Sequence, residues 1–176
     1  KYEDANECYD KVLEIDPDYI EAWANKSIVL LKLDRNEDAI VCCDKALEIN
    51  LHDAFMNESQ FDRIRQMVWL NKNEALQRLD RDEDAKVCCD KALEINPNYA
   101  LAWFWKGYAL GKYGQHEDAI KCFDKVLEID PNNVDALNGK CVSLLALDRD
   151  EGARMCWERV LEIDPFNAIA LKLGYS

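Results

Sequence analysis

The decapeptide VCCDKALEIN occurs twice in this chain, at residues 41–50 and again at residues 87–96. Variants of its second half occur three more times, as DKVLEID ending at residue 16, DKVLEID ending at residue 130 and ERVLEID ending at residue 164. Successive copies are 34, 46, 34 and 34 residues apart. A nearly constant period in this range indicates stacked supersecondary units rather than one irregular core.

Each period divides into two amphipathic helices. In residues 20–33, Trp23, Ser27 and Leu30 recur at steps of three and four residues, which is the spacing of one helical face. A polar turn, LDRNED, follows, and Asn36 is the expected cap of a second helix whose apolar face contains the cysteines. Proline after most second helices ends them, because the residue before proline avoids the α conformation. The pattern predicts a repeated antiparallel helix pair.

This pattern resembles the tetratricopeptide repeat family: an aromatic residue early in the first helix, a small residue and a leucine after it, two small residues flanking a bulky one in the second helix, then proline. The matching positions of the four complete units are Trp23, Ser27, Leu30, Ala39, Cys43, Ala46 and Leu51; Trp69, Asn73, Leu76, Ala85, Cys89, Ala92 and Pro97; Trp103, Gly107, Leu110, Ala119, Phe123, Val126 and Pro131; and Leu137, Cys141, Leu144, Ala153, Trp157, Val160 and Pro165. The resemblance implies an all-α fold, a right-handed alpha-alpha superhelical solenoid of antiparallel helix pairs.

The predicted array occupies the whole chain, 1–176. Its parts are a half-unit with only a second helix at 1–19, repeats at 20–53, 66–99, 100–133 and 134–167, an insertion at 54–65, and the start of a further first helix at 168–176. Half-units leave apolar faces that a complete array would cover. We therefore expect either a piece of a longer array or self-association through the ends.

The insertion, AFMNESQFDRIR, contains neither glycine nor proline. It predicts either one long helix from near residue 53 to near residue 79, or a short added helix followed by a bend. The role of the insertion likewise has more than one possible interpretation. It is either a neutral extension, or it alters the superhelix or offers Phe55, Met56 and Phe61 to a partner.

Cysteines recur at equivalent positions of the second helices. One position holds Cys8, Cys42, Cys88, Cys122 and Cys156, and the next holds Cys43 and Cys89 in two units but Tyr9, Phe123 and Trp157 in the others. A position that accepts cysteine or a large aromatic residue is a packing position, and adjacent cysteines on a helix point about 100° apart. We predict buried free thiols and no metal or redox site.

Composition and motifs exclude several classes of function. The 35 acidic and 22 basic residues give a net charge of −13, which argues against a nucleic-acid backbone as the partner. No apolar stretch approaches bilayer length, and no nucleophile, metal or nucleotide motif is present. We predict no enzymatic activity, no catalytic residue and no cofactor. Eight cysteines without a secretory signal at the start of the sequence predict a cytoplasmic location.

The resemblance also implies a binding surface, because the first helices of this family line a concave groove that receives partner peptides. Carried over by position, the groove candidates are Asn25, Met67, Leu70, Asn71, Leu101, Phe104, Trp105, Tyr108 and Asn138. The basic residues with which some family members clamp a C-terminal carboxylate are largely replaced by apolar ones, so we expect no such clamp. Trp103, Phe104 and Trp105 are consecutive and cannot all face inward. The groove should present an aromatic patch, unless the insertion folds over it.

These features predict a non-catalytic protein–protein interaction scaffold that binds a peptide or helix of a partner protein. The partner should be apolar or aromatic, or basic, and neither a nucleic acid nor a membrane. The alternative is a structural module, a homo-oligomer that self-associates through its half-unit ends or through the insertion.

Overall fold

The computed structural model describes residues 1–52, 56–167 and 171–172. Nine α-helices and no strand lie in these ranges: α1 Tyr2–Ile15, α2 Ile20–Lys32, α3 Asn36–Glu48, α4 Glu58–Arg78, α5 Asp82–Ile95, α6 Ala100–Lys112, α7 His116–Ile129, α8 Val134–Ala146 and α9 Asp150–Ile163. The chain divides into two compact units, Lys1–Pro97 with α1 to α5 and Asn98–Ser176 with α6 to α9. The prediction of an all-α fold built from antiparallel helix pairs is confirmed.

Each predicted repeat contains one first helix and one second helix. The first helices are α2, α4, α6 and α8, the second helices are α3, α5, α7 and α9, and the predicted half-unit at 1–19 contains α1. The exact repeat boundaries stay a prediction. Most of the predicted further first helix at 168–176 lies outside the described residues.

A left-handed residue ends the turn after every first helix. These residues are Asp34 with φ 59°, Asp80 with φ 54°, Gly114 with φ 74° and Asp148 with φ 55°. The turn leaves Asn36 as the first residue of α3 rather than the residue before it, and its Nδ2 donates to Asp34 Oδ1 at 3.1 Å. The prediction that Asn36 caps α3 is therefore wrong, because its side chain folds back into the turn.

Small residues let the paired helices approach closely. One core of the first unit contains Ile20, Ala24, Cys43, Ala46, Ile49, Phe61 and Val68, and another contains Leu30, Leu31, Ala39, Cys42 and Ala75. Burial raises the pKa of Cys42 to about 11 and that of Cys43 to about 12, so both remain neutral thiols at physiological pH. The predicted buried thiols are found at five positions outside any disulfide: Cys42, Cys43, Cys88, Cys89 and Cys122.

Three other cysteines correct the prediction. Cys8, on α1, is exposed. Cys156 forms a disulfide with Cys141 across α8 and α9, with their Cα atoms 5.6 Å apart. Other units carry the same second-helix cysteine, but the facing first-helix position holds Ser27, Asn73 or Gly107. Only the fourth repeat therefore places two cysteines opposite each other.

The insertion lengthens one first helix. The helix α4 is continuous over 21 residues, whereas α2, α6 and α8 have 13 each, so one long helix is observed, but it begins at Glu58 rather than near residue 53. It begins at Glu58 because Asn57 caps it, accepting a hydrogen bond from the Gln60 backbone N–H at 2.9 Å. Phe61 is 5% exposed in the core, where Met56 also packs. The proposed display of these two side chains to a partner is wrong, since Phe61 shares the inward face of α4 with Val68. Phe55 lies outside the described residues.

Candidate functional site

Hydrogen bonds within the chain join the facing sides of α2 and α4 in the first unit. Asn71 donates from Nδ2 to Ser27 Oγ at 2.9 Å and to the Ala24 carbonyl at 3.4 Å. Arg78 donates from Nη1 to the Leu31 carbonyl at 2.7 Å. These donors hold the two first helices together, so they are engaged before any ligand arrives.

The other predicted groove residues of the first unit offer little surface. Leu70 is buried, and Met67 packs against the core that contains Phe61. Asn25 is half-buried. A recess of about 290 Å³ lies near the start of α4 and is lined by Glu21, Gln60, Arg63, Ile64 and Met67. Of the four predicted residues in this unit, Met67 is the one that lines this recess.

A pocket of about 470 Å³ lies between α6 and α8 in the second unit. We call it the glycine pocket; its lining residues are Phe104, Gly107, Tyr108, Gly111, Lys112, His116, Phe123, Asp135, Asn138, Gly139, Val142 and Ser143. A Cβ atom on Gly139 would lie 2.4 Å from Cζ of Phe123, and one on Gly107 would lie 3.0 Å from Cβ of Cys122. The absence of side chains at these two positions therefore lets α7 approach α6 and α8 and seats the Phe123 ring as a pocket wall.

Polar groups interrupt this apolar lining. Asn138 is 8% exposed, and its Oδ1 has no hydrogen-bond partner among the described residues. Nδ1 of His116, at the start of α7, is likewise buried and without a partner there. The charged side chains of Asp135 and Lys112 are exposed. The pocket can thus accept an apolar side chain while offering hydrogen-bonding atoms to the groups attached to it.

Another recess, of about 550 Å³, adjoins the glycine pocket and shares Phe104 and Asp135 with it. We call it the tryptophan pocket; it is lined by Ala100, Leu101, Phe104, Trp105, Val126, Asn133 and Asp135. The rings of Phe104 and Trp105 meet edge to face with centroids 5.3 Å apart, and those of Trp105 and Tyr108 do so at 5.8 Å. The ring centroids of Phe104 and Phe123 are 6.1 Å apart, so this row of rings packs against α7.

The structure brings five of the predicted residues to one surface of the second unit. They are Leu101, Phe104, Trp105, Tyr108 and Asn138, and Leu101 and Tyr108 are about half exposed, at 47% and 51%. Phe123 and His116, which come from α7, also line this surface but are not among the residues predicted from the sequence. Gly107 was a visible signal, because the equivalent position holds serine, asparagine or cysteine in the other repeats.

The described ranges contain neither a metal-binding cluster nor a membrane-spanning helix. No group of three or more His, Cys, Asp or Glu side chains there is placed to hold a metal ion. Within the same ranges, no helix combines the length and the apolar character needed to cross a membrane.

Known proteins resemble this chain in sequence over parts of its length. Profiles described as tetratricopeptide repeat match residues 8–41, 68–99 and 100–133, together more than half of the chain. Protein STIP1 homolog of Dictyostelium discoideum is 42% identical over 48 residues. Those residues are 27% of this chain and only 8% of that relative.

Solved structures resemble the chain over most of its length. YrrB, described as a TPR protein with an unusual peptide-binding site, has a TM-score of 0.76 at 25% identity, covering 97% of this chain and 82% of YrrB. MamA has a TM-score of 0.81 at 20% identity, covering 95% and 91%. The first TPR of Spaghetti (RPAP3), solved with the HSP90 peptide SRMEEVD, has a TM-score of 0.60 at 19% identity, covering 62% and 86%. The last two similarities concern the fold alone.

Proposed function

The chain belongs to the tetratricopeptide repeat family, and from this premise we propose that it is a non-catalytic scaffold that binds a peptide of a partner protein on its second unit. The observation that carries this proposal is the row of Phe104, Trp105 and Tyr108 beside two adjoining pockets. Large aromatic side chains that are partly exposed around recesses are the residues that dominate binding energy at protein interfaces.

The solved relatives support a peptide as the ligand class. YrrB is described with a peptide-binding site, and the first TPR of Spaghetti was solved with a bound peptide. We place the site on the second unit because, between α2 and α4, Asn71 and Arg78 are already hydrogen-bonded to the chain itself.

The chemistry of the partner follows from the lining and the charge. Apolar walls favour leucine or aromatic side chains, and the net charge of −13 favours a neutral or basic partner over an acidic one. We expect an internal peptide segment, since most positions of a carboxylate clamp are apolar in this chain and only Asn25 and Asn71 remain of its polar set. The cytoplasmic location and the alternative of self-association through the ends stay predictions.

The test compares capture of partner proteins from source-cell lysate by the native chain and by a Trp105→Ala/Tyr108→Ala variant. Two aromatic anchors at about 2 kcal/mol each should make the loss of affinity far larger than tenfold. The matched control is Val41→Ala/Val87→Ala, which removes two apolar side chains that are 56% and 54% exposed on second helices. Circular dichroism checks folding of each variant.

Specific loss with the aromatic variant supports the scaffold proposal. If the aromatic variant and the control capture the same proteins as the native chain, the aromatic row is not the binding site. Sedimentation velocity on the native chain and on the aromatic variant tests the alternative, self-association. If the mass of the native chain rises with concentration, and the mass of the aromatic variant rises in the same way, the result would favour self-association through other surfaces.

A further inference from the structure

The two pockets of the second unit meet at one aromatic ring and one carboxylate. Phe104 of α6 and Asp135 of α8 line both the glycine pocket and the tryptophan pocket, whereas every other lining residue belongs to one pocket alone. Phe104 is half-buried and Asp135 is exposed, so both present surface to solvent. A peptide segment that fills both pockets must therefore pass between this ring and this carboxylate.

The carboxylate of Asp135 is not used by the fold. The start of α8 is capped by Asn133, whose Oδ1 accepts a hydrogen bond from the Ala136 backbone N–H at 3.0 Å. Asp124, on α7, is a carboxylate that the fold does use, because it pairs with Lys140 at 2.6 Å. Asp135 makes no hydrogen bond and no ion pair with any residue that the structure describes. Its charge is therefore available to a ligand.

An aromatic ring beside a carboxylate is a site for a cation. The face of the ring and the carboxylate both attract an ammonium or guanidinium group. The first unit already holds a lysine in this way: the Nζ atom of Lys72 lies 5.7 Å from the centroid of the Trp69 ring and 2.5 Å from Asp44 Oδ1. Phe104 and Asp135 offer the same two groups without a cation from the chain.

The basic side chains that line the glycine pocket lie at its other end. Lys112 is eight residues after Phe104 in α6, which places it about 12 Å further along the helix axis. That separation exceeds the screening length of about 8 Å at physiological ionic strength. His116 begins α7, beyond the turn that follows Lys112. Neither side chain therefore occupies the place beside Asp135.

We propose that the second unit binds a peptide segment in which an arginine or lysine stands between two bulky apolar residues. The basic side chain lies between Phe104 and Asp135, and the two apolar side chains enter the glycine pocket and the tryptophan pocket. This inference rests on the proposed peptide-binding function and deepens it, because it names the residue types of the ligand and their order.

The experiment uses the whole chain and a phage-displayed library of random linear dodecapeptides. Peptides that bind the native chain but not the Trp105→Ala/Tyr108→Ala variant are synthesised with their basic residue as arginine and as citrulline, which has nearly the same shape without the charge. Fluorescence polarisation measures both forms against the native chain, Asp135→Asn and the control Glu21→Gln. Glu21 is the second residue of α2 as Asp135 is of α8, so the control removes a charge from the same point of a first helix.

The expected result has three parts. The selected peptides carry arginine or lysine between bulky apolar residues. With the native chain, citrulline in place of arginine weakens binding about fivefold, which is the effect of a favourable ion pair at a partly exposed site. Asp135→Asn weakens binding of the arginine form by a similar factor and leaves no further penalty for citrulline, whereas Glu21→Gln binds both forms like the native chain.

Other outcomes overturn the inference at different levels. Selected peptides that lack a basic residue between apolar ones would refute the residue pattern and leave the scaffold function standing. A citrulline penalty that persists in Asp135→Asn would show that another group binds the basic residue. A loss in Asp135→Asn that is equal for the two peptide forms, with the citrulline penalty unchanged, would give Asp135 a structural role. A selection in which no peptide depends on Trp105 and Tyr108 would refute the proposed function itself.

Discussion

The glycines of the second unit make a prediction in which one substitution has opposite effects at two positions. Gly139→Ala in the middle of α8 should destabilise the chain, and Gly111→Ala near the end of α6 should stabilise it slightly. Alanine has the same intrinsic advantage over glycine in both helices, up to about 1 kcal/mol. The difference must therefore come from what the new methyl group meets.

The distances decide the sign. At Gly139 the methyl carbon would lie 2.4 Å from Phe123 Cζ, and two more ring atoms of Phe123 would be within 2.8 Å. Overpacking of this kind costs about 1–3 kcal/mol, so the net loss should be about 1 kcal/mol after the helical gain. At Gly111 the nearest atoms are Ala119 Cβ and Ser143 Oγ, both at 3.9 Å, which is an ordinary contact. The net gain there should be about 0.5 kcal/mol.

Urea unfolding followed by circular dichroism at 222 nm measures both values as changes in the free energy of unfolding. A Phe123→Leu background tests the cause. With the ring removed, the cost of Gly139→Ala should fall by about 1 kcal/mol. Stabilisation by Gly139→Ala, or an unchanged cost in the Phe123→Leu background, would refute the reasoning from these distances.

Three further predictions concern backbone conformation and the cysteines. Gly114→Ala should lower the free energy of unfolding in urea by about 1 kcal/mol, because φ at this position is 74°. Since the added Cβ would meet nothing within 4 Å, the cost should come from the backbone alone, and an unchanged stability would contradict this reasoning. Thiol titration in guanidinium should find six reactive thiols in the air-oxidised chain and all eight after reduction, and eight without reduction would exclude the Cys141–Cys156 disulfide. Burial raises the pKa of Cys43 and Cys88 to about 12, so the unfolded chain loses these protons first and stability should fall between pH 8 and 9.5 by about 1 kcal/mol for each thiol. The stability of a Cys43→Ala/Cys88→Ala variant should fall less over that pH range. A fall equal to that of the native chain would assign the effect to other groups.

Much of the fold is predictable because it depends on residues close together in the chain. The spacing of Trp23, Ser27 and Leu30 and the prolines after the second helices predict helix pairs without any knowledge of packing. Turns are less predictable in detail. Asparagine is a residue type that often caps helices, so Asn36 is the expected cap. The turn that contains the left-handed Asp34 instead makes Arg35 the cap residue and Asn36 the first residue of α3.

The candidate site shows a sharper division. The three consecutive aromatic residues in α6 predict an exposed patch from sequence alone, and Leu101, Phe104, Trp105 and Tyr108 do lie together. Two of the three predicted groove asparagines do not behave alike. Asn71 is hydrogen-bonded to Ser27, whereas Asn138 has no partner within the described chain, and no local pattern distinguishes the two.

The sequence by itself determined the repeat, the helix pairs and the aromatic character of α6, because helix formation and amphipathic faces depend on neighbours within a few turns. Tertiary structure alone decided that Phe61 packs inward, that Cys141 meets Cys156 and that Gly107 and Gly139 open a pocket beside Phe123. Each of these outcomes depends on which side chains of different helices meet. That is set by the close packing of the whole unit rather than by any one helix.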